Sequence, residues 1–197
     1  MANDIEPDRC WYELDIDMSN ALKQGYTLPA VNGKSVGMWW FRKDDIFNPS
    51  WLSYMSDKGI DIKGSLLFWR PARLNNTTAH IDIDGSDNDR VVIFALNWII
   101  GGKGSEMAWY HTPPGPTFVE YTKAGTAFSS WLISDLVERD RHCIQERVTM
   151  VRVDVPHAIF VKEEPRWCIS LRTNHPGRLT WEDRVNFMRE KGLISSH

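Results

Sequence analysis

The segment Ala79-His80-Ile81-Asp82-Ile83-Asp84-Gly85 contains histidine and aspartate, two residue types that bind metals, at every second position. Successive side chains of a β-strand point to opposite faces, so His80, Asp82 and Asp84 share one face and the isoleucines share the other. This spacing brings an imidazole nitrogen and a carboxylate oxygen close enough to occupy adjacent positions around an octahedral ion. An H-x-D pattern also arises by chance, and a solvated strand face before a turn is the alternative interpretation.

A third ligand must come from elsewhere in the chain, and His157 is the candidate. The segment Asp154-Val155-Pro156-His157-Ala158-Ile159-Phe160-Val161 places this histidine at the start of an apolar strand, where a buried imidazole needs a partner. Two histidines and one carboxylate on one face of a metal leave three positions open, which is the arrangement that non-haem Fe(II) oxygenases use. The pattern therefore favours an iron site at His80, Asp82 and His157.

The elements that must position these residues are short strands separated by turn residues, and no internal repeat or linker divides the chain. The predicted strands are Ser35–Phe41, Ser65–Arg70, Thr77–Ile83, Arg90–Trp98, Ser105–His111, Thr117–Tyr121, Met150–Val155, His157–Lys162 and Arg166–Thr173. Helices are predicted over Asn48–Lys58 and over Trp181–Lys191, the second after a Thr180–Asp183 capping pattern. The segment Trp131–Arg147 fits either a helix or a strand. The spacing favours an antiparallel sandwich or barrel over βαβ units.

In order and spacing, these elements resemble the 2-oxoglutarate/Fe(II)-dependent oxygenase superfamily, whose members have an HxD…H…R pattern on a double-stranded β-helix. The resemblance spans roughly His80 to Pro176. It rests on Ala79-His80-Ile81-Asp82, Arg90-Val91-Val92-Ile93-Phe94-Ala95-Leu96-Asn97-Trp98, Ser105-Glu106-Met107-Ala108-Trp109-Tyr110, Val155-Pro156-His157 and Pro165-Arg166-Trp167-Cys168-Ile169-Ser170-Leu171.

The stretch from Arg166 to Pro176 also resembles the C-terminal end of the aspartyl/asparaginyl β-hydroxylase branch of that superfamily. Animal members of the branch typically lack the metal carboxylate, whereas Asp82 is present here. The protein substrate of the branch therefore does not carry over to this chain.

The resemblance implies a mainly β fold, a double-stranded β-helix of the jelly-roll or cupin type with flanking helices. Residues 1–197 then form one domain, with an N-terminal extension over 1–63 that includes a short helix, a β-helix core over 64–176 and a C-terminal helix within 177–197. The implied activity is that of a dioxygenase, a hydroxylase that uses Fe(II), 2-oxoglutarate and O2. The alternatives are a non-catalytic cupin-like binding protein and a metal-dependent isomerase or hydrolase on the same barrel.

The far carboxylate of 2-oxoglutarate needs a buried cation, and the planar guanidinium of arginine matches a carboxylate well. Arg166 and Arg172 are the candidates, six residues and so about 20 Å apart on one side of a predicted strand. A simple hairpin between the last two strands would bring His157 nearer Arg172, whereas opposing sheets, as in the resembled fold, favour Arg166. We expect Arg166 to bind the carboxylate, and a surface ion pair is the alternative for either arginine.

Three further polar residues each have two interpretations. Asp84 is expected to form the turn before Gly85 rather than to orient a metal ligand. Arg90 either reaches the keto-acid end of 2-oxoglutarate or flanks its strand, and Asn97 is either a hydrogen-bonded core residue or a cofactor contact.

Composition limits the remaining function classes. Of the 197 residues, 42% are hydrophobic and 25% are charged, as in ordinary globular domains. A net charge of -3 and scattered Lys and Arg weigh against a nucleic-acid partner, and three distant cysteines weigh against a disulfide framework. The acidic N-terminus and the short apolar stretch Val91–Ile100 predict a cytoplasmic protein without a membrane span. A small-molecule or peptide substrate fits best, and no oligomeric state is assigned.

Overall fold

The computed structural model describes residues 6, 8–31, 35–82, 92–114, 118–121, 127–173 and 180–194. Within these residues the chain is mainly β. The strands are β1 (Trp11–Glu13), β2 (Gly37–Arg42), β3 (Ile62–Arg70), β4 (Thr78–Asp82), β5 (Phe94–Gly101), β6 (Glu106–Tyr110), β7 (Phe118–Tyr121), β8 (Ala127–Leu132), β9 (Glu138–Cys143), β10 (Val148–Arg152), β11 (His157–Phe160) and β12 (Arg166–Thr173). The helices are α1 (Lys43–Ile46), α2 (Pro49–Asp57) and α3 (Trp181–Glu190), with one 3₁₀ turn at Ile133–Asp135.

The strands form two six-stranded antiparallel sheets. The first sheet has the order β1-β10-β5-β12-β3-β2, and the second has the order β7-β8-β4-β11-β6-β9. Ala95, Ile99 and Cys168 of the first sheet pack in one buried cluster with Met107 and Trp109 of the second. The two sheets therefore face each other across a common core, which confirms the antiparallel two-sheet arrangement that the strand spacing predicts.

The helices cover the outer face of the first sheet. Trp51 and Met55 of α2 and Val185 and Met188 of α3 lie in one buried cluster with Ile169 of β12. Burying these apolar faces removes the first sheet from water on both sides, whereas the outer side of the second sheet has polar side chains such as Glu106, which pairs with Arg141 and Lys162. The first sheet is therefore the central layer of the fold, with the helices on one side and the second sheet on the other.

Both predicted helices are confirmed, and their first residues follow from capping. The Asn48 side chain accepts a hydrogen bond from the Ser50 amide at the start of α2. At the start of α3, the Thr180 hydroxyl accepts from the Asp183 amide at 3.1 Å and the Asp183 carboxylate accepts from the Thr180 amide at 2.9 Å. The longest helix in the described part of the chain has ten residues, and no helix there combines the length and apolar character that a bilayer crossing requires.

Several parts of the chain differ from the prediction: α1 was not predicted, β5 ends at Gly101 rather than Trp98, and β10 spans Val148–Arg152 rather than Met150–Val155. The segment Trp131–Arg147, which fitted either a helix or a strand, forms the end of β8, the 3₁₀ turn and β9. Residues before 64 supply β1 and β2, which pair with β10 and β3 respectively. β2 overlaps the predicted strand Ser35–Phe41, whereas β1 was not predicted.

Candidate metal centre

The two strands that hold the candidate ligands are neighbours in the middle of the second sheet. β4 and β11 pair in antiparallel fashion, with His80 and His157 as Cα partners. Ala79, one residue away on β4, packs with Ala158 on the outer side of the sheet. Because side chains alternate along a strand, His80, Asp82 and His157 all project into the space between the sheets.

The three side chains meet closely enough to bind one ion. His80 Nε2 lies 3.8 Å from Asp82 Oδ1, and the ring centroids of His80 and His157 are 4.4 Å apart. One ligand atom from each residue lies within 4.8 Å of the others. The expectation that these distant parts of the chain converge is confirmed, and the group could hold a metal ion.

The orientation of His157 suits a ligand that binds through Nε2. Its Nδ1 lies 3.0 Å from the carbonyl oxygen of Val155, so the Nδ1 proton is donated to that oxygen. In a neutral imidazole the other nitrogen then has the free lone pair that a metal requires. His157 is 4% exposed, and its hydrogen bond to the Val155 carbonyl fixes the orientation of the ring on the cavity wall.

Both imidazoles are held in the neutral form. Burial lowers the pKa of His80, and the neighbouring His157 and Arg70 lower it further against the opposing effect of Asp82. Burial also lowers the pKa of His157. At neutral pH each ring therefore keeps one N–H and has one nitrogen lone pair, which is the state that binds a cation.

A cavity of about 550 Å³ lies between the sheets, and the three candidate ligands line it. That volume falls in the range of small-molecule sites. The apolar part of the wall consists of Val36, Met38, Leu66, Phe68, Ala95, Met107, Val153 and Ile159. The polar part, besides the ligands, includes Arg70, Asn76, Thr78, Asn97, Ser170 and Arg172. The site is a mostly apolar cavity with a few polar groups.

The two candidate arginines lie at different depths on β12. β11 and β12 belong to opposing sheets, as the resembled fold requires. Arg172 lines the cavity, with Nη1 3.9 Å from Asp82 Oδ2. Arg166 lies six residues away on the same strand face and is fully buried, at 0% exposure. Arg172, not Arg166, is therefore the arginine beside the candidate ligands.

Arg166 lies in a narrow space beside a glycine and a serine. A Cβ atom added to Gly102 would lie 2.4 Å from the Arg166 Cβ and 2.8 Å from the Ser105 Oγ. Among the described residues, neither the Ser105 hydroxyl nor any of the three guanidinium nitrogens of Arg166 has a hydrogen-bond partner, although all are buried. Buried donors are normally paired, so this group is suited to a bound anion.

Asn97 and Arg70 also face the interior. Asn97 lines the cavity, and its buried Oδ1 has no hydrogen-bond partner in the described part of the chain, so it is not a hydrogen-bonded core amide at that atom. Arg70 is the Cα partner of Arg166 on the adjacent strand. Burial, aided by the charge of Arg166, lowers the pKa of Arg70 to about 10, so the guanidinium is still charged at neutral pH.

Sequence reasoning missed Arg70 and Ser105. The signal for Arg70 is its place two residues after Phe68 on an alternating strand, which predicts a charged side chain on the inner face. Ser105 follows a glycine turn and has no comparable signal. Arg90 and Asp84, both considered from the sequence, lie outside the described residues.

Comparisons of the chain with protein-family models, with curated proteins and with solved structures found no match. The candidate site is thus defined by its own geometry: a three-residue ligand group, a cavity between the sheets and a buried arginine whose guanidinium has no hydrogen-bond partner among the described residues.

Proposed function

We propose that the protein is a non-haem Fe(II)- and 2-oxoglutarate-dependent dioxygenase that hydroxylates a small-molecule or peptide substrate. The observation that supports this most directly is the convergence of His80, Asp82 and His157 on the wall of one cavity. Imidazole and carboxylate ligands in a two-to-one ratio suit Fe(II) and leave coordination positions for other molecules. A structural zinc site would instead be closed by a fourth protein ligand.

The arrangement of strands supports a double-stranded β-helix, or jelly roll, as the fold. β3, β4, β5 and β6 alternate between the first and second sheets, and β10, β11 and β12 alternate in the same way. A chain that passes from one facing sheet to the other at each turn winds as a flattened helix. The candidate ligands then lie on strands of one sheet and open toward the other.

Bound Fe(II) would supply the oxidative chemistry: one atom of O2 enters succinate as 2-oxoglutarate loses CO2, and the other becomes the hydroxyl group on a substrate carbon. The protein residues have the simpler tasks of binding and orientation. His157 is oriented through its bond to the Val155 carbonyl. Asp82 supplies the negative charge that partly offsets the cation.

The buried donors around Arg166 suit the far carboxylate of 2-oxoglutarate. A guanidinium without a partner in a buried position costs free energy that an anion would recover through charge-assisted hydrogen bonds. The Ser105 hydroxyl next to it can donate a further bond. Arg70 links this place to the cavity, since it is the Cα partner of Arg166 and lines the cavity with the candidate ligands.

The apolar wall of the cavity would keep water from the reacting atoms. A dry chamber strengthens the electrostatic contacts inside it and suppresses side reactions of oxidised iron. The wall contributes no acid or base that the reaction needs.

The test is the consumption of 2-oxoglutarate by the purified protein with Fe(II) and O2. We expect succinate to form in proportion to added iron, and His157→Ala and Arg166→Ala each to abolish it. Arg73→Ala is the control, because that arginine is 80% exposed in an ion pair with Glu163. Absence of succinate from the iron-loaded wild-type protein would overturn the proposal in favour of a binding protein or a Lewis-acid isomerase or hydrolase.

A further inference from the structure

The cavity holds more positive charge than the proposed function uses. Arg70 and Arg172 line it, and Arg166 extends from the same face of β12 as Arg172. Among the described residues that line the cavity, Asp82 has the only carboxylate. Two guanidinium groups therefore share a largely apolar cavity with one acid, and a third, that of Arg166, is buried on the same face of β12.

Iron and 2-oxoglutarate do not balance these charges. The dianion of 2-oxoglutarate offsets the charge of Arg166 and the positive charge that remains on Fe(II) after Asp82 binds it. The charges of Arg70 and Arg172 are then left over. Charges in an apolar cavity are costly unless they are paired, so a further anion is expected in the complete complex.

Arg172 is placed to receive that anion. Its Nη1 lies 3.9 Å from Asp82 Oδ2, which is an ion pair at its outer limit and is too long for a hydrogen bond. Its Nε is buried and has no hydrogen-bond partner within the described chain. The Nε–H of Arg172 thus lacks a partner among the described residues, and it lies on a residue beside a metal ligand, where a substrate group must come close to the iron.

The wall next to Arg172 offers an apolar surface. Gly64 is the Cα partner of Arg172, and a Cβ atom at Gly64 would lie 2.9 Å from the Trp40 ring. The indole therefore lies across the space that Gly64 leaves open. Trp40 is 53% exposed, which is unusual for so large an apolar side chain on the inner face of a sheet. The apolar residues that line the cavity together with Arg172 include Met38 and Leu66.

We propose that the oxidised substrate is a small carboxylic acid with an apolar body, whose carboxylate binds Arg172 and whose body packs on the apolar cavity wall that includes Met38 and Leu66. This inference rests on the proposed function, because only an oxygenase would oxidise the bound acid. The acid binds next to the iron while 2-oxoglutarate occupies Arg166. Amides and amines of the same shape are poor ligands, because they leave the guanidinium unpaired.

The experiment is a calorimetric titration of the anaerobic Fe(II) protein, saturated with 2-oxoglutarate, with three acids and their amides: phenylacetate, hexanoate and propionate. We expect at least one acid to bind 10- to 100-fold more tightly than its amide, on the order expected for charge-assisted bonds. Arg172→Gln should remove this preference and change the affinity for 2-oxoglutarate far less than Arg166→Ala does. Arg73→Gln, on the exposed surface, should keep the preference.

Three results would overturn the inference: no acid binds more tightly than its amide, the preference survives in Arg172→Gln, or the acids compete with 2-oxoglutarate. Failure of the proposed function is a separate result, since it appears as no binding of 2-oxoglutarate at all. In that case the same titrations without 2-oxoglutarate decide the matter, because an Arg172-dependent preference for acids supports the anion site and its absence rejects it.

Discussion

His80 and His157 are direct Cα partners across the β4–β11 pair, although 77 positions separate them in the chain. Side chains of directly opposed residues project on the same face with their Cβ atoms about 5 Å apart. Backbone pairing therefore sets the distance between the two imidazoles, and the ligand pair is preformed before any ion binds. Asp82 joins them from the next inward position of β4.

Removing the carboxylate should weaken the metal site. Asp82→Ala deletes the only acid of the group, and we expect Fe(II) affinity to fall by at least about 100-fold, the upper range for loss of supporting groups around a metal. Asp135→Ala is the control, because that exposed carboxylate lies in the 3₁₀ turn outside the cavity. The iron content of each variant after dialysis measures this affinity. Equal iron binding by Asp82→Ala and the wild type would exclude Asp82 as a ligand.

The two arginines of β12 should differ in their effect on 2-oxoglutarate. Arg166→Ala removes a buried partner, which typically costs about 2–5 kcal/mol, or roughly 30- to several-thousand-fold in affinity. Arg172→Ala should change that affinity far less, since Arg172 lies beside Asp82. Iron affinity should be nearly unchanged in Arg166→Ala. A larger loss of 2-oxoglutarate binding in Arg172→Ala than in Arg166→Ala would reverse the assignment.

Two glycines of one turn form a matched pair that tests the space around Arg166. Gly102 and Gly104 have φ values of +69° and +74°, so alanine strains the backbone by a similar amount at either position. Only at Gly102 would the new Cβ meet Arg166, at 2.4 Å, whereas at Gly104 the nearest atom is 3.7 Å away. We expect Gly102→Ala to lower the melting temperature more than Gly104→Ala does. We also expect it to lower the affinity for 2-oxoglutarate at least about tenfold. Equal effects would show that Arg166 is not confined there.

The iron-free protein should become less stable as the pH falls below about 6.5, the ordinary pKa of histidine. Burial lowers the pKa of His80 and His157 in the folded state, so the unfolded chain takes up protons first. Their contribution to the free energy of unfolding is full above that pH and is lost as the pH falls through the lowered values. Denaturant titrations with a chelator at pH 7.5 and 5.0 should show a smaller drop in stability for His80→Gln/His157→Gln than for the wild type. The same drop in both would contradict the pKa assignment.

Much of the local structure could be predicted because its signals are short-range. β12 begins and ends at the predicted residues, since the turn before Arg166 and the alternating apolar side chains after it define it. Strand alternation likewise placed His80 and Asp82 on one face. His157 could be proposed as the third ligand because a buried imidazole at the start of an apolar strand needs a polar partner.

The parts that were missed depend on pairing between distant residues. β1 has three residues and exists through its pairing with β10, as in the register of Trp11 with Val151. Arg70 meets Arg166 through the β3–β12 register, and no local pattern contains that information. Ser105 becomes a candidate donor only because Gly102 lets Arg166 approach it. Side-chain environments of this kind arise from tertiary packing, which a single sequence does not encode in any short window.

The measurement that tests the central claim most directly is the visible absorption spectrum of the anaerobic Fe(II) protein during titration with 2-oxoglutarate. A keto acid that chelates protein-bound Fe(II) gives a charge-transfer band that neither component gives alone. The band should appear with one equivalent of iron per chain, require His157, and need much more 2-oxoglutarate in Arg166→Ala. If iron binds at His80, Asp82 and His157 but no band develops at any concentration of 2-oxoglutarate, the site is a metal centre of another kind and the oxygenase proposal is wrong.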